Sequence, residues 1–457
     1  MRAPSKIFQP VGPQQFRKRL WKAGGLICMF VLTCCVGNNF LAPERRFNIH
    51  MFGYDFLAFY YGGSSVHTGH SEQLFDLGQT HAFEKRVGKE AKLELGPSSF
   101  GPWWNPPFAA WLFAPLATMP FEQALHTWWL FSFACLAVAI WLMMRMLRGG
   151  WGTKLLVPLF VISSMPCIEV FSHGQNTYLS LMLLTIVVTL WRADQSFVAG
   201  LVCGLLFYKP QLGALVAAIL CLQQGRRALL GVTLTGFALL TINLLTMPGT
   251  LHSFFRVMPG NMRWMQEDLN YIWQRHVTLK AFWRLLIMGQ HKGPDWLSVK
   301  VMWGISDLLL GGALAVLVFK VRAVSRNLSD SAQSKDRLIA ASIAAMPLLM
   351  PFYFDYDLLL VSVAAVLYAA SRQGEWIDGV RPLWEDRWLL RLWVALFVTL
   401  EVTVIWMDRA RVHPVTLLMC GIAALLIRRG LRPAQIPVDT SVDDPDDLAN
   451  LMPAIAA

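Results

Sequence analysis

Residues 123–144 read QALHTWWLFSFACLAVAIWLMM, a run with no charged side chain that ends at Arg145 and Arg148. At about 1.5 Å per residue, a helix of this length covers roughly the 30 Å of a bilayer's hydrocarbon core. A helix satisfies its own backbone polar groups, so the stretch reads as a membrane span. The rest of the chain extends this pattern. Of 457 residues 55% are hydrophobic and only 15% charged, a balance far too apolar for a soluble protein of this size. The expected fold is all-α, a polytopic transmembrane helix bundle of roughly 11–13 membrane helices.

The net charge of +11 does not point to nucleic acid, because the basic residues are scattered through short connectors and form no single patch or arm. A positive-inside bias accounts for them. All eight cysteines lie in apolar stretches and outline no disulfide framework. Arg17, Lys18, Arg19 and Lys22 precede an apolar run with no cleavage signature after it, which reads as an uncleaved signal anchor. Residues 1–23 are then cytoplasmic, 24–428 form the membrane domain, and 429–457 are a disordered cytoplasmic tail. Further spans are expected near 155–171, 177–191, 228–247, 297–321, 338–350, 357–371, 388–407 and 412–427. Residues 106–119 are too short and too rich in proline for a full span, so a re-entrant or partial helix is expected. Residues 197–223 read as two short helices with an apex at Tyr208, Lys209 and Pro210. With the basic connectors inside, the outer segments are loops 43–105 and 248–296, residues 172–176, the 208–211 apex, 351–356 and 408–411. Residues 277–290 read as an amphipathic interfacial helix. The expected location is the cell (inner) membrane.

Four polar constellations stand out on that outer side. Asp55 lies in GYDFLAFYYGGSS among aromatic residues. A carboxylate at a semi-apolar surface suits a general base, and equally suits a helix cap or a partner for Arg45 or Arg46. His173, Gln175 and Asn176 in SHGQNTYLS could bind sugar hydroxyls or simply satisfy helix ends. Lys209, flanked by Gly200, Gly204 and Gly213, needs an anion, which could be a lipid phosphate or a structural Asp. Arg263, Arg275 and His276 could join a phosphate site or form a solvated face. Asp355 and Asp357 in PFYFDYDLLL start a span; spaced i, i+2 they do not share a helix face, so one is expected to cap and one to point inward. His and Cys do not recur at metal-ligand spacing, and no P-loop, dinucleotide fingerprint or serine elbow is present; no metal or cofactor is expected.

The order of motifs adds information: Asp55 with Tyr60 and Gly69, then WWNPPFAAWLFAPLATMP (103–120), GQN (174–176), AGLVCGLLFYKP (199–210) and FDYD (354–357). In this order the chain resembles glycosyltransferase family 87, the polyprenol-phosphate-mannose-dependent α-mannosyltransferases. The resemblance implies the C-type membrane glycosyltransferase fold, an extracytoplasmic active site and a polyprenyl-phosphate sugar donor. It implies that Asp55 deprotonates the acceptor hydroxyl, and that Lys209, Arg275, His276 and Arg263 are candidates to face the donor phosphate. Tyr60, Trp104, Asn105, His173, Gln175, Asn176 and Asp357 are candidates for sugar or acceptor binding. It further implies a single inverting displacement onto a glycan or glycolipid acceptor, a scheme that requires no divalent metal. The alternative is a transporter or flippase of a lipid-linked sugar. Such a protein generally places its polar site at the midplane between repeated halves, and no halves repeat here.

Overall fold

The computed structural model describes residues 13–38, 52–93, 100–269, 271–324, 331–377, 383–406 and 413–432. Arg45, Arg46 and residues 433–457 lie outside them. The described residues form eighteen α-helices and no strand. Helix α1 (Pro13–Asn38) begins well before residue 24, where the membrane domain was expected to start, and carries the basic cluster in its first turns. The first loop holds α2 (Phe56–His67) and α3 (Leu77–Glu90), and two short 3-10 turns, Pro107–Leu112 and Leu116–Thr118, follow. Residues 106–119 therefore contain no α-helix.

Next come α4 (Phe121–Met146), α5 (Trp151–Lys154), α6 (Leu156–Ser163) and α7 (Met165–His173). The span expected at 155–171 is thus broken. The chain bends by 52°, because Ser164 leaves the helical conformation at ψ 140° and Pro166 follows it. The chain continues through α8 (Thr177–Arg192), α9 (Ser196–Leu205), α10 (Pro210–Gln224), α11 (Arg226–Thr246), α12 (Thr250–Glu267) and α13 (Leu279–Met288). It ends with α14 (Leu297–Val324), α15 (Ser331–Leu349), α16 (Val361–Ile377), α17 (Trp384–Trp406) and α18 (Pro414–Leu431). The last helix runs past 428, so the C-terminal tail starts later than the sequence suggested.

Helices α4, α11, α14 and α18 are each long and apolar enough to cross a bilayer, and the bent pair makes a fifth candidate span. The higher count expected from sequence includes the shorter apolar helices α8, α9 and α10, which are too short for that test. The chain is an all-α polytopic membrane protein. Helices α9 and α10 do form a pair with its break at Lys209. Gly200 and Gly231 let α9 lie directly on α11, since a Cβ at either would collide with backbone of the other helix. Helix α13 packs on α14, where Trp283 Nε1 donates to Ser306 Oγ at 2.9 Å, and its Arg284, 1% exposed, bonds the carbonyls of His291 and Gly293, both at 3.1 Å.

Four elements give the bundle two polar ends. The first turn of α8 meets Asp357 through Thr177, and its last residue, Arg192, pairs with Asp336 near the start of α15. Helix α16 follows the 3-10 turn Asp355–Leu360 and ends near Glu375, while α4 starts under Gly174 and ends where Gln373 bonds Arg148. The segments read as outer from sequence meet at one end where they are described; 408–411 lies outside the described residues. Connectors read as inner, those of Arg192, Lys335, Arg337, Arg372 and Arg429, meet at the other.

Candidate active site

Two glycines seat the first loop on the bundle. Gly174 closes α7 with φ +70°, a left-handed position, and a Cβ there would stand 2.9 Å from that of Phe56 and 3.3 Å from the Cα of Gly53. The Gly53 N–H donates to the Ser172 carbonyl at 2.8 Å. Trp128 of α4 donates from Nε1 to the Gly174 carbonyl at 2.9 Å. Below α2, Phe59, Trp103, Phe113 and Trp128 pack as one aromatic cluster.

This docking brings Asp55 to the 173–176 turn. Asp55 occupies the cap position of α2, but its side chain makes no capping bond. Instead Gln175 Nε2 donates to Asp55 Oδ2 at 2.6 Å. The next residue, Asn176, likewise precedes α8 without capping it. It is 1% exposed, and both its amide atoms lack a hydrogen-bond partner. The polar turn is therefore not used up in satisfying helix ends.

His173 Nδ1 lies 2.7 Å from the Glu169 carbonyl, to which it must donate, so Nε2 is left as acceptor and receives Arg275 Nη1 at 3.4 Å. The Arg275 fork is held bidentately by Asp355, Nε–Oδ2 at 2.9 Å and Nη2–Oδ1 at 2.8 Å, with Glu169 a further 3.6 Å contact. Lys209 Nζ meets Asp357 Oδ1 at 3.0 Å, and Thr177 Oγ1 donates to the same oxygen at 2.5 Å. Neither aspartate caps a helix through its side chain as expected: each holds a cation brought from a distant segment. Tyr54 and Tyr356 wall the group, with Tyr54 5.0 Å from the His173 ring. Burial first, then the Asp55 charge, raises the Tyr54 phenol, which stays a neutral donor.

His276 lies behind this group. It is 1% exposed, Nδ1 accepts from the Tyr353 N–H at 3.3 Å, and Nε2 contacts the Tyr271 hydroxyl at 2.8 Å. Burial pushes its pKa down to about 3, against the opposing pull of Asp355. A neutral ring with both nitrogens engaged offers no charge to a phosphate, so the geometry gives the cation reading of His276 no support. Arg263 is exposed on α12. Tyr60 donates to the Met119 carbonyl at 2.8 Å and so ties α2 to the 3-10 turns. Trp104 and Asn105 are half-buried with no bond to the polar group.

Two acids join the site that sequence reasoning had passed over. Glu169 is a lone acid in an apolar helix, four residues before His173, and intramembrane acids are costly enough to be a signal. Glu84 of α3 is 3% exposed and accepts from the Gly101 N–H at 3.4 Å. Burial lifts it to about 8; the Gly101 bond opposes that rise, and the nearby Asp55 charge adds to it. Chemically the cluster offers, among the described residues, one carboxylate with an unpaired oxygen, a lysine held by a single acid, and a buried unpaired amide. These are the parts for moving a proton off a hydroxyl beside an anionic leaving group.

No curated protein and no solved structure matches the chain. A family model described as glycosyltransferase family 87 matches residues 103–351, more than half of its length. That match includes the 173–176 turn, Lys209 and Arg275, while Asp55, Asp355 and Asp357 flank it. The chain belongs to glycosyltransferase family 87 and is a membrane glycosyltransferase, acting between a sugar donor and an acceptor.

Proposed function

We propose that the protein transfers a sugar, a hexose such as mannose, from a polyprenyl-phosphate donor to a glycan or glycolipid acceptor at the extracytoplasmic face of the cell membrane. Asp55 is the general base. The observation that carries this reading is the meeting of Asp55 with Gln175 at 2.6 Å beside the Lys209–Asp357 pair, from segments far apart in the chain. Gln175 orients one carboxylate oxygen, and the other has no partner among the described residues.

In this reading the acceptor hydroxyl gives its proton to Asp55 as its oxygen attacks the anomeric carbon. The bond to the donor phosphate breaks on the opposite face, and its electron pair leaves with the polyprenyl phosphate. The product is inverted at the anomeric carbon. A phosphate leaves without a general acid, so a cation replaces the second carboxylate of a glycosidase pair. Lys209 is that cation. Its single aspartate can be exchanged for a phosphate oxygen, whereas Arg275 is clamped on both arms by Asp355. Asn176, with both amide atoms unpartnered among the described residues, then remains for sugar hydroxyls, while His173 is engaged at both nitrogens. Because the charge of the leaving phosphate is met by Lys209, the scheme calls for no metal.

Reconstituted protein incubated with a panel of radiolabelled polyprenyl-phosphate sugars should move one sugar into a lipid or glycan product. Transfer from nucleotide sugars alone, with every polyprenyl donor inert, would overturn the donor assignment.

A further inference from the structure

The other end of the bundle holds a second charged cluster that sugar transfer does not use. Arg337 of α15, Arg372 of α16 and Arg429 of α18 all reach Glu375. Asp386, at the start of α17, also faces Arg372 at 3.5 Å and Arg429 at 3.4 Å. At the rim Arg428 and Arg432 share Glu385, at 3.2 and 2.5 Å. Arg428 and Arg432 are partly solvated, but the three largely buried guanidinium groups of Arg337, Arg372 and Arg429 stand against the two carboxylates of Glu375 and Asp386 among the described residues, leaving one positive charge in excess.

That excess cannot be removed by proton loss, because arginine keeps its charge at any physiological pH. Burial makes it costly. Arg429 is 2% exposed, and its Nη1 has no hydrogen-bond partner. The cluster also lies where α16 and α18 end and α17 begins, the level at which a spanning bundle meets lipid headgroups. A guanidinium fork matches the oxygens of a phosphate, and basic pockets between membrane helices are suited to anionic headgroups.

We propose that this cluster is a binding site for the phosphate headgroup of an anionic phospholipid, with Arg429 and Arg372 as its donors. The headgroup supplies the charge that Glu375 and Asp386 leave unmatched and ties α15, α16, α17 and α18 together at that face.

The test uses the full chain in nanodiscs of phosphatidylcholine, with and without phosphatidylglycerol. Thermal unfolding and lipid retention in native mass spectrometry are the readouts. The wild-type protein should melt higher with phosphatidylglycerol and retain it through delipidation. Arg429→Gln should lower that retention about tenfold, the effect of losing one charge-assisted hydrogen bond. Arg372→Gln should do the same if the first variant fails to fold. Inorganic phosphate added to phosphatidylcholine discs should leave the melting temperature unchanged. Equal melting in the two lipids would overturn the proposal. So would stabilisation by inorganic phosphate alone, or unchanged retention in a folded arginine variant.

Discussion

The two ends of the bundle are built from the same kinds of residue in opposite proportion. At the candidate site, among the described residues, Asp55, Glu169, Asp355 and Asp357 surround Lys209 and Arg275. At the far end five arginines crowd three acids among the described residues. An acid-rich pocket with one loosely held lysine can lose that pairing to a substrate and take up a proton. An arginine-rich pocket can do neither, and is completed only by an added anion. The contrast separates a place for chemistry from a place for anchoring, and each half of it can be broken by single substitutions.

The largest effect is expected at the arginine end. Glu375→Gln removes the acid shared by three arginines and should cost about 3–5 kcal/mol of stability, as loss of one partner from a buried pair does. Anionic lipid should restore part of the loss. Asp355→Asn should cost less, because Glu169 still stands 3.6 Å from Arg275, and anionic lipid should not restore it. Equal losses with equal rescue would erase the distinction between the ends.

Next in size is the lysine. Lys209→Met should lower sugar transfer about 10²- to 10³-fold, the usual effect of deleting a group that meets developing charge. Asp357→Asn, which frees the lysine, should lower the donor KM. A raised KM would mean that Asp357 binds substrate, which restores the sugar-binding role its sequence position suggested.

The spans were legible because apolar runs of bilayer length need no partner to be recognised: residues 123–144 became α4 and 228–247 became α11. The break at Lys209 was legible from Pro210. Segregation of the basic connectors at one end also followed from sequence, since charge alone orders them. Pairings were not legible. Nothing local to YKP says that Asp357, not a ligand, will meet Lys209, and nothing in WQRH says that Arg275 is clamped while His276 is buried. The amphipathic helix α12 was hidden in a segment treated as a loop, because Pro259 and Gly260 interrupt its pattern.

A smaller effect sharpens the contrast through pH. Glu84 rises from 4.5 to about 8 on folding, so its neutral, buried form favours the fold fully below about pH 4.5. That contribution is lost as pH rises through about 8. Glu84→Gln should flatten the pH dependence of melting across this window. An identical pH profile in the variant would place the titrating group elsewhere. The arginine end, which holds its charge throughout, is not expected to contribute the same slope.

The central claim rests on Asp55, and the most direct measurement is the transfer rate of Asp55→Asn in reconstituted membranes, with melting temperature and elution profile checked against wild type. The amide keeps the size of the side chain but cannot accept the acceptor's proton. The account predicts a folded protein with transfer reduced by at least about 10²-fold, the low end for a lost general base. A folded Asp55→Asn protein that transfers sugar at the wild-type rate would contradict it.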